Sequence, residues 1–130
     1  MNAQELCRRY SDGERDFSGI DLNNTNLSGI CLAGADLSRA NLTFADLSKA
    51  NLSWVKLRGA TLDGANLSNA NLRRGNLVQA SLNSTNFENA DLRAANFTRA
   101  VITGANFNAA ITWGMLLPDG ITALSEVQFA

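Results

Sequence analysis

A large apolar residue stands at every fifth position from Phe17 to Phe107, nineteen times without a gap. The column begins Phe17, Leu22, Leu27 and Leu32 and closes with Phe97, Ile102 and Phe107. Such a period matches neither the roughly 3.6 residues of a helical turn nor the roughly 2 of an open strand. The chain must therefore wind around an axis, each unit making one short side of a coil, which is a solenoid.

Each place in the unit has a physical reason. Two residues before the large side chain stands a small one, as in Ala35, Ala40, Ala45 and Ala50. Residues two apart in extended chain point the same way, so both face the axis and the Asn or Asp between them faces out. The last two places are mostly Ser, Thr, Asn, Gly or Arg, which suit a corner because they bond locally to backbone and tolerate turns. Ile20, Thr25, Ile30, Val55, Gly75 and Thr85 depart from Ala at the inward place. They read as local packing adjustments, being small or β-branched.

The units Ala-Asp-Leu-Ser-Arg (35–39) and Ala-Asn-Leu-Ser-Asn (65–69) resemble those of the pentapeptide-repeat protein family. The resemblance covers roughly 90 residues, and the segments Gly13–Gly19 and Leu117–Gly120 resemble the lead-in and exit of small cyanobacterial members. It implies a right-handed quadrilateral β-helix, with four units to a coil. Residues twenty apart would then stack at ~4.8 Å, giving a rod about 23 Å tall. The expected organisation is a helical cap over 1–14, a β-helix over 15–109, and a C-terminal cap and tail over 110–130.

A stack of open coils needs covers at both ends. Ala3, Leu6, Cys7 and Tyr10 form an apolar stripe for one short helix, with Asn2 as N-cap and Glu5 three residues on. At the other end the repeat fails at Thr112, and Ile111, Trp113, Met115, Leu116 and Leu117 are expected to close the last coil. Ile121–Ala130 follows as a tail.

Eleven basic and twelve acidic residues give a net charge of −1. No apolar run approaches the ~18 residues of a membrane span. No basic segment precedes a hydrophobic stretch, so the expectation is a cytoplasmic address; the oligomeric state is left open, a monomer being slightly favoured. Cys7 on the buried helix stripe and Cys31 on an outward wall are not expected to pair, and free thiols suit a reducing compartment.

There is no histidine, which removes an imidazole base, a Ser-His pair and a His-ligated metal. Two lone cysteines build no zinc site, and neither a phosphate loop nor a dinucleotide fingerprint occurs. Asp16 falls one coil below Asp36, yet a repeat that puts Asp or Asn at most outward places produces such stacks on a solvated surface anyway. Triplets such as Asn26-Leu27-Ser28 are by-products of the repeat rather than glycosylation sites. The chain is therefore read as a non-enzyme without cofactor or metal.

Function must lie on the outward faces, where large side chains interrupt the repeat. Phe44 and Trp54 are half a coil apart and point to opposite sides. Trp54 has Arg74 twenty residues on, and Arg73 with Arg93 above it completes a wall of one indole and three guanidinium groups. Such residues concentrate at binding hot spots. The plain alternative is a tryptophan covered by the Arg74 stem through a cation–π contact, with Asp91 relieving the charge. The favoured class is a rigid protein-interaction or scaffold module whose protein partner is unknown, contacting it through Trp54, Arg73, Arg74 and Arg93. The alternative is a DNA mimic that binds gyrase, as some relatives do. Mimicry needs a strongly negative surface, whereas residues 56–100 hold six basic and three acidic side chains, and no nucleic-acid binding is expected. Ice binding through a threonine ladder fails on spacing, because the column through Thr43 reads Asn23, Thr43, Asp63, Asn83, Thr103.

Overall fold

The computed structural model describes residues 1–120. The tail expected over Ile121–Ala130 lies outside the described residues. Parallel bridges join each residue before the large apolar one to its equivalent twenty residues later, from Asp16↔Asp36 to Asn96↔Leu116. Four five-residue units thus make one coil, and each coil lies directly on the next.

Local chemistry explains the corner. In each unit the residue three after the large side chain donates its N–H back to that residue's carbonyl, as Ala65 N does to Leu62 O at 2.9 Å. The third residue of this turn has a positive φ throughout the coil, the sign a type II turn requires. Glycine fills it at Gly19, Gly29 and Gly34, but Arg39, Phe44, Lys49 and Trp54 occupy it too. Neighbouring coils are tied by backbone bonds such as Leu62 N to Ser81 O, 2.8 Å, and Ser81 N to Ala60 O, 2.9 Å. L residues other than glycine are disfavoured at positive φ by ~1–2 kcal/mol. Ala94, at φ +59 and exposed, gains nothing from its methyl in return. Ala94→Gly is expected to raise unfolding free energy by roughly 0.5–1 kcal/mol in denaturant titration, after allowing for the looser unfolded chain.

The outward Asn or Asp is a structural brace. Its Oδ1 accepts the backbone N–H two residues on, for example Ser48 N to Asp46, 3.0 Å, and Thr98 N to Asn96, 3.0 Å. Ser81 does not make this bond, and Asp63 of the coil below takes its place, accepting from Ser81 Oγ at 2.7 Å and Asn83 N at 2.9 Å. Hydrogen bonds from the Ser38 and Ser48 hydroxyls, then their backbone N–H groups, hold Asp36 and Asp46 below the usual carboxylate range. A lowered folded-state value adds stability above the unfolded-chain value, and this is lost as pH falls through the lowered one. Replacing both by Asn keeps the acceptors and removes the titration. The double variant is therefore expected to lose less melting temperature than the parent between pH 7 and about pH 3, and parallel losses would contradict the assignment.

The axis is dry. Every leucine of the column from Leu22 to Leu92 is at most 1% exposed, and the inward alanines from Ala35 to Ala95 are buried with them. At ~1.5–3 kcal/mol per side chain this column is the main favourable contribution to folding. Its departures fit their neighbours: Val55 Cγ1 lies 3.6 Å from where a Cβ on Gly75 would stand, so the large residue faces the small one a coil later. Thr85 is fully buried and donates its hydroxyl to Leu62 O at 2.7 Å. Near the end Phe87 stacks on Phe107 with centroids 5.1 Å apart, and Phe97 meets both edge-on.

Helix α1 (Ala3–Ser11) covers the first coil, with Asn2 Oδ1 accepting from Glu5 N at 2.9 Å. Leu6 is fully buried and Ala3 and Tyr10 pack on the same cluster. Cys7 differs from expectation: it is exposed, because α1 rests on its Leu6 and Tyr10 side, and the Tyr10 hydroxyl bonded to Ala33 O at 2.7 Å leaves Cys7 at the margin of the stripe. Cys31 is exposed as well, and both thiols are free. The other end also needs correction. Thr112 does not break the coil; it is fully buried in the inward column, Met115 is fully buried in the small-residue place, and the ladder runs on to Leu116. Threonine has nearly the shape of valine, so the slot accepts it.

Candidate functional surface

Because each coil is four units, its corners align into edges running along the rod. One edge carries Ser53 and Trp54, then Arg73 and Arg74, then Arg93 and Ala94, and finally Trp113 and Gly114. The sequence-predicted wall of Trp54, Arg73, Arg74 and Arg93 is thus one continuous edge, begun below by Ala33, where Tyr10 is bonded.

The guanidinium of Arg74 lies 5.1 Å from the centre of the Trp54 ring, while the indole stays 62% exposed. Arg93 is held by Asp91 through two bonds, Nε to Oδ1 at 2.9 Å and Nη2 to Oδ2 at 2.7 Å. Those hydrogen bonds lower the Asp91 pKa and raise that of Arg93. Arg73 differs from both: it is exposed, and its side chain makes no hydrogen bond or ion pair among the described residues. The cation–π cover and the relieving carboxylate of the plain reading are therefore both present, and Asp91 also feels the charge of Arg73 between them.

Sequence reasoning missed Trp113. The sequence suggests a terminal closure there, whereas Trp113 is 56% exposed on the same edge, one coil beyond Arg93 and beside exposed Ile111. The signal lay in the numbering, since 113 follows 93 and 73 by the coil length. Both tryptophans of the protein therefore stand on this edge. Phe44 is on the opposite edge, its ring lying against Gly64, where an added Cβ would sit 2.4 Å from Cε1.

Asp16 and Asp36 do not form an acid–base pair. Each is braced by its own turn and both have pKa values lowered, the reverse of two carboxylates sharing a proton. Among the described residues no group of three or more His, Cys, Asp or Glu could hold a metal ion, and no helix is long and apolar enough to cross a membrane.

The family model for pentapeptide repeats, eight copies long, matches residues 16–53, 35–74, 50–89 and 75–111. The chain belongs to the pentapeptide-repeat family. Membership implies a right-handed quadrilateral β-helix, consistent with the four-unit coil described above. Among solved structures, a pentapeptide repeat protein from the thylakoid lumen of Arabidopsis thaliana is 30% identical, with a TM-score of 0.75 over 78% of this chain and 71% of that one. Rfr23, a pentapeptide-repeat protein of the cyanobacterium Cyanothece 51142, is 28% identical with a TM-score of 0.61 over 86% of this chain and 92% of its own. QnrB1, a plasmid-mediated fluoroquinolone resistance protein, is 22% identical with a TM-score of 0.50 and shares the fold alone. No curated protein matches the sequence.

Proposed function

We propose that this pentapeptide-repeat protein is a non-catalytic cytoplasmic rod that binds a protein partner through the edge of Trp54, Arg73, Arg74 and Arg93. The observation that carries this reading is the exposed Trp54–Arg74 pair beside an exposed Arg73 whose side chain makes no hydrogen bond or ion pair among the described residues. Trp and Arg are the residues on which binding energy concentrates. Affinity capture from the source cells tests it. A specific protein retained by the parent and lost with Trp54→Ala/Arg73→Ala supports the reading, and retention unchanged by that variant removes this edge.

A DNA-like rod would need carboxylates along its length. Here carboxylates do not line the whole surface: one half of the coil carries seven cations, and Asp21, Asp46, Asp63 and Glu88 stand on the other. Added in moderate excess, the protein is expected to leave gyrase supercoiling unaffected, and salt-sensitive inhibition would contradict this.

A further inference from the structure

The Trp54 edge borders a flat face whose ladder residues are Asp16, Asp36, Lys56, Asn76 and Asn96. Along the far side of that face runs a second edge, which carries Arg39, Arg58 and Arg99 at its corners. Arg73, Arg74 and Arg93 stand on the near edge, Arg93 turned onto Asp91 of the adjoining face, so the face has arginines on each flank and Lys56 between them. These groups are seven of the eleven basic side chains in the protein. The opposite half of the coil is the reverse, with Asp21, Asp46, Asp63 and Glu88 against Lys49 alone among the described residues.

The floor between the rails is also one-sided in its hydrogen bonding. Asn76 and Asn96 spend Oδ1 on the N–H groups of Val78 and Thr98, both at 3.0 Å. Their Nδ2 groups make no hydrogen bond among the described residues, so what remains at these two floor positions is amide N–H. These amides, with the Lys56 ammonium and the Arg39, Arg58 and Arg99 guanidinium groups, present donors that complement carboxylates. Among the described residues Arg58 is restrained by Gln79 Oε1 alone, at 3.3 Å, which leaves most of its fork available.

We infer that this railed face, from Lys56 to Asn96, takes an acidic segment of the partner protein. The inference rests on the proposed binding edge and names what crosses it. Charge complementarity identifies the occupant, and three observations favour a polypeptide over nucleic acid. Asp16 and Asp36 limit the basic part of the face to about three coils, ~10–14 Å of rise, the reach of a short extended peptide rather than a phosphate polymer. The Trp54 ring already carries the Arg74 guanidinium, which competes with a base for its surface. The acidic opposite half makes the long-range field dipolar, and a polyphosphate would be repelled there.

The test uses a fluorescein-labelled glutamate decapeptide, with a lysine decapeptide and a ten-nucleotide oligothymidine as comparisons, read by fluorescence anisotropy. The glutamate peptide is expected to bind, more weakly as salt is added, and Lys56→Glu/Arg58→Glu is expected to weaken it at least about tenfold. Asp63→Asn on the other side is expected to leave it unchanged. No binding at low salt, tighter binding of oligothymidine, or indifference to the charge reversal overturns the inference. Both charge-reversed residues are outward, and an unchanged circular dichroism spectrum guards against misfolding; Arg99→Glu serves as a second variant. Failure here with a captured partner that still depends on Trp54 leaves the binding edge standing. Glutamate binding with no captured partner overturns the proposed function instead.

Discussion

Leu62→Ala is expected to lose ~2–5 kcal/mol of unfolding free energy. Leu62 is fully buried and lies directly between Leu42 and Leu82 in one stacked column. Truncation opens a cavity that the coil cannot close, because the backbone around Leu62 is bonded to coils on both sides: Leu42 N donates to Thr61 O, and Leu62 N donates to Ser81 O. Its carbonyl also receives the buried Thr85 hydroxyl, so relaxation there would strain a second residue. Asn69→Ala is the matched control. Asn69 is exposed at a corner, with φ +60, and its change is expected to cost under about 1 kcal/mol. Denaturant titration that gave equal losses would place the wrong side chains on the axis.

The second large effect concerns binding. Trp54→Ala/Arg73→Ala is expected to weaken capture of the partner by at least ~2 kcal/mol, about thirtyfold in Kd. The braced Asn and Asp places of the rod supply little affinity, since their oxygens already serve their own turns. Stability is expected to change little, because Trp54 and Arg73 are both exposed and only the Arg74 contact over the indole, an exposed cation–π pair worth ~0.5–1 kcal/mol, is lost.

The axis was legible in the sequence because burial admits few residue types, and Leu, Phe and Ala announce it. The coil length was not, since nothing in a five-residue period states how sharply each corner turns. The corners hide their conformation as well. Arg39, Lys49, Trp54 and Arg74 all adopt positive φ, where a reader looks for glycine, because the surrounding ladder imposes it. Trp54, Arg73, Arg74 and Arg93 were found by stepping twenty residues, yet Trp113 was missed once Thr112 was taken as the end of the repeat. Arg39, Arg58 and Arg99 look scattered in the chain and converge only when one edge is followed up the rod. Cys7 shows the limit at the cap: a helix stripe names the buried side, but the contact of Tyr10 with Ala33 decides its margin.

The two tryptophans make the edge its own reporter, since Trp54 and Trp113 both lie on it and both are more than half exposed. Protein labelled with 5-fluorotryptophan gives one fluorine resonance for each, assigned by Trp54→Phe and Trp113→Phe. On saturation with the captured partner the Trp54 resonance is expected to shift or broaden and to lose its sensitivity to the solvent isotope. A fully bound protein in which both resonances keep their free positions would place the partner on another face and contradict the proposed function.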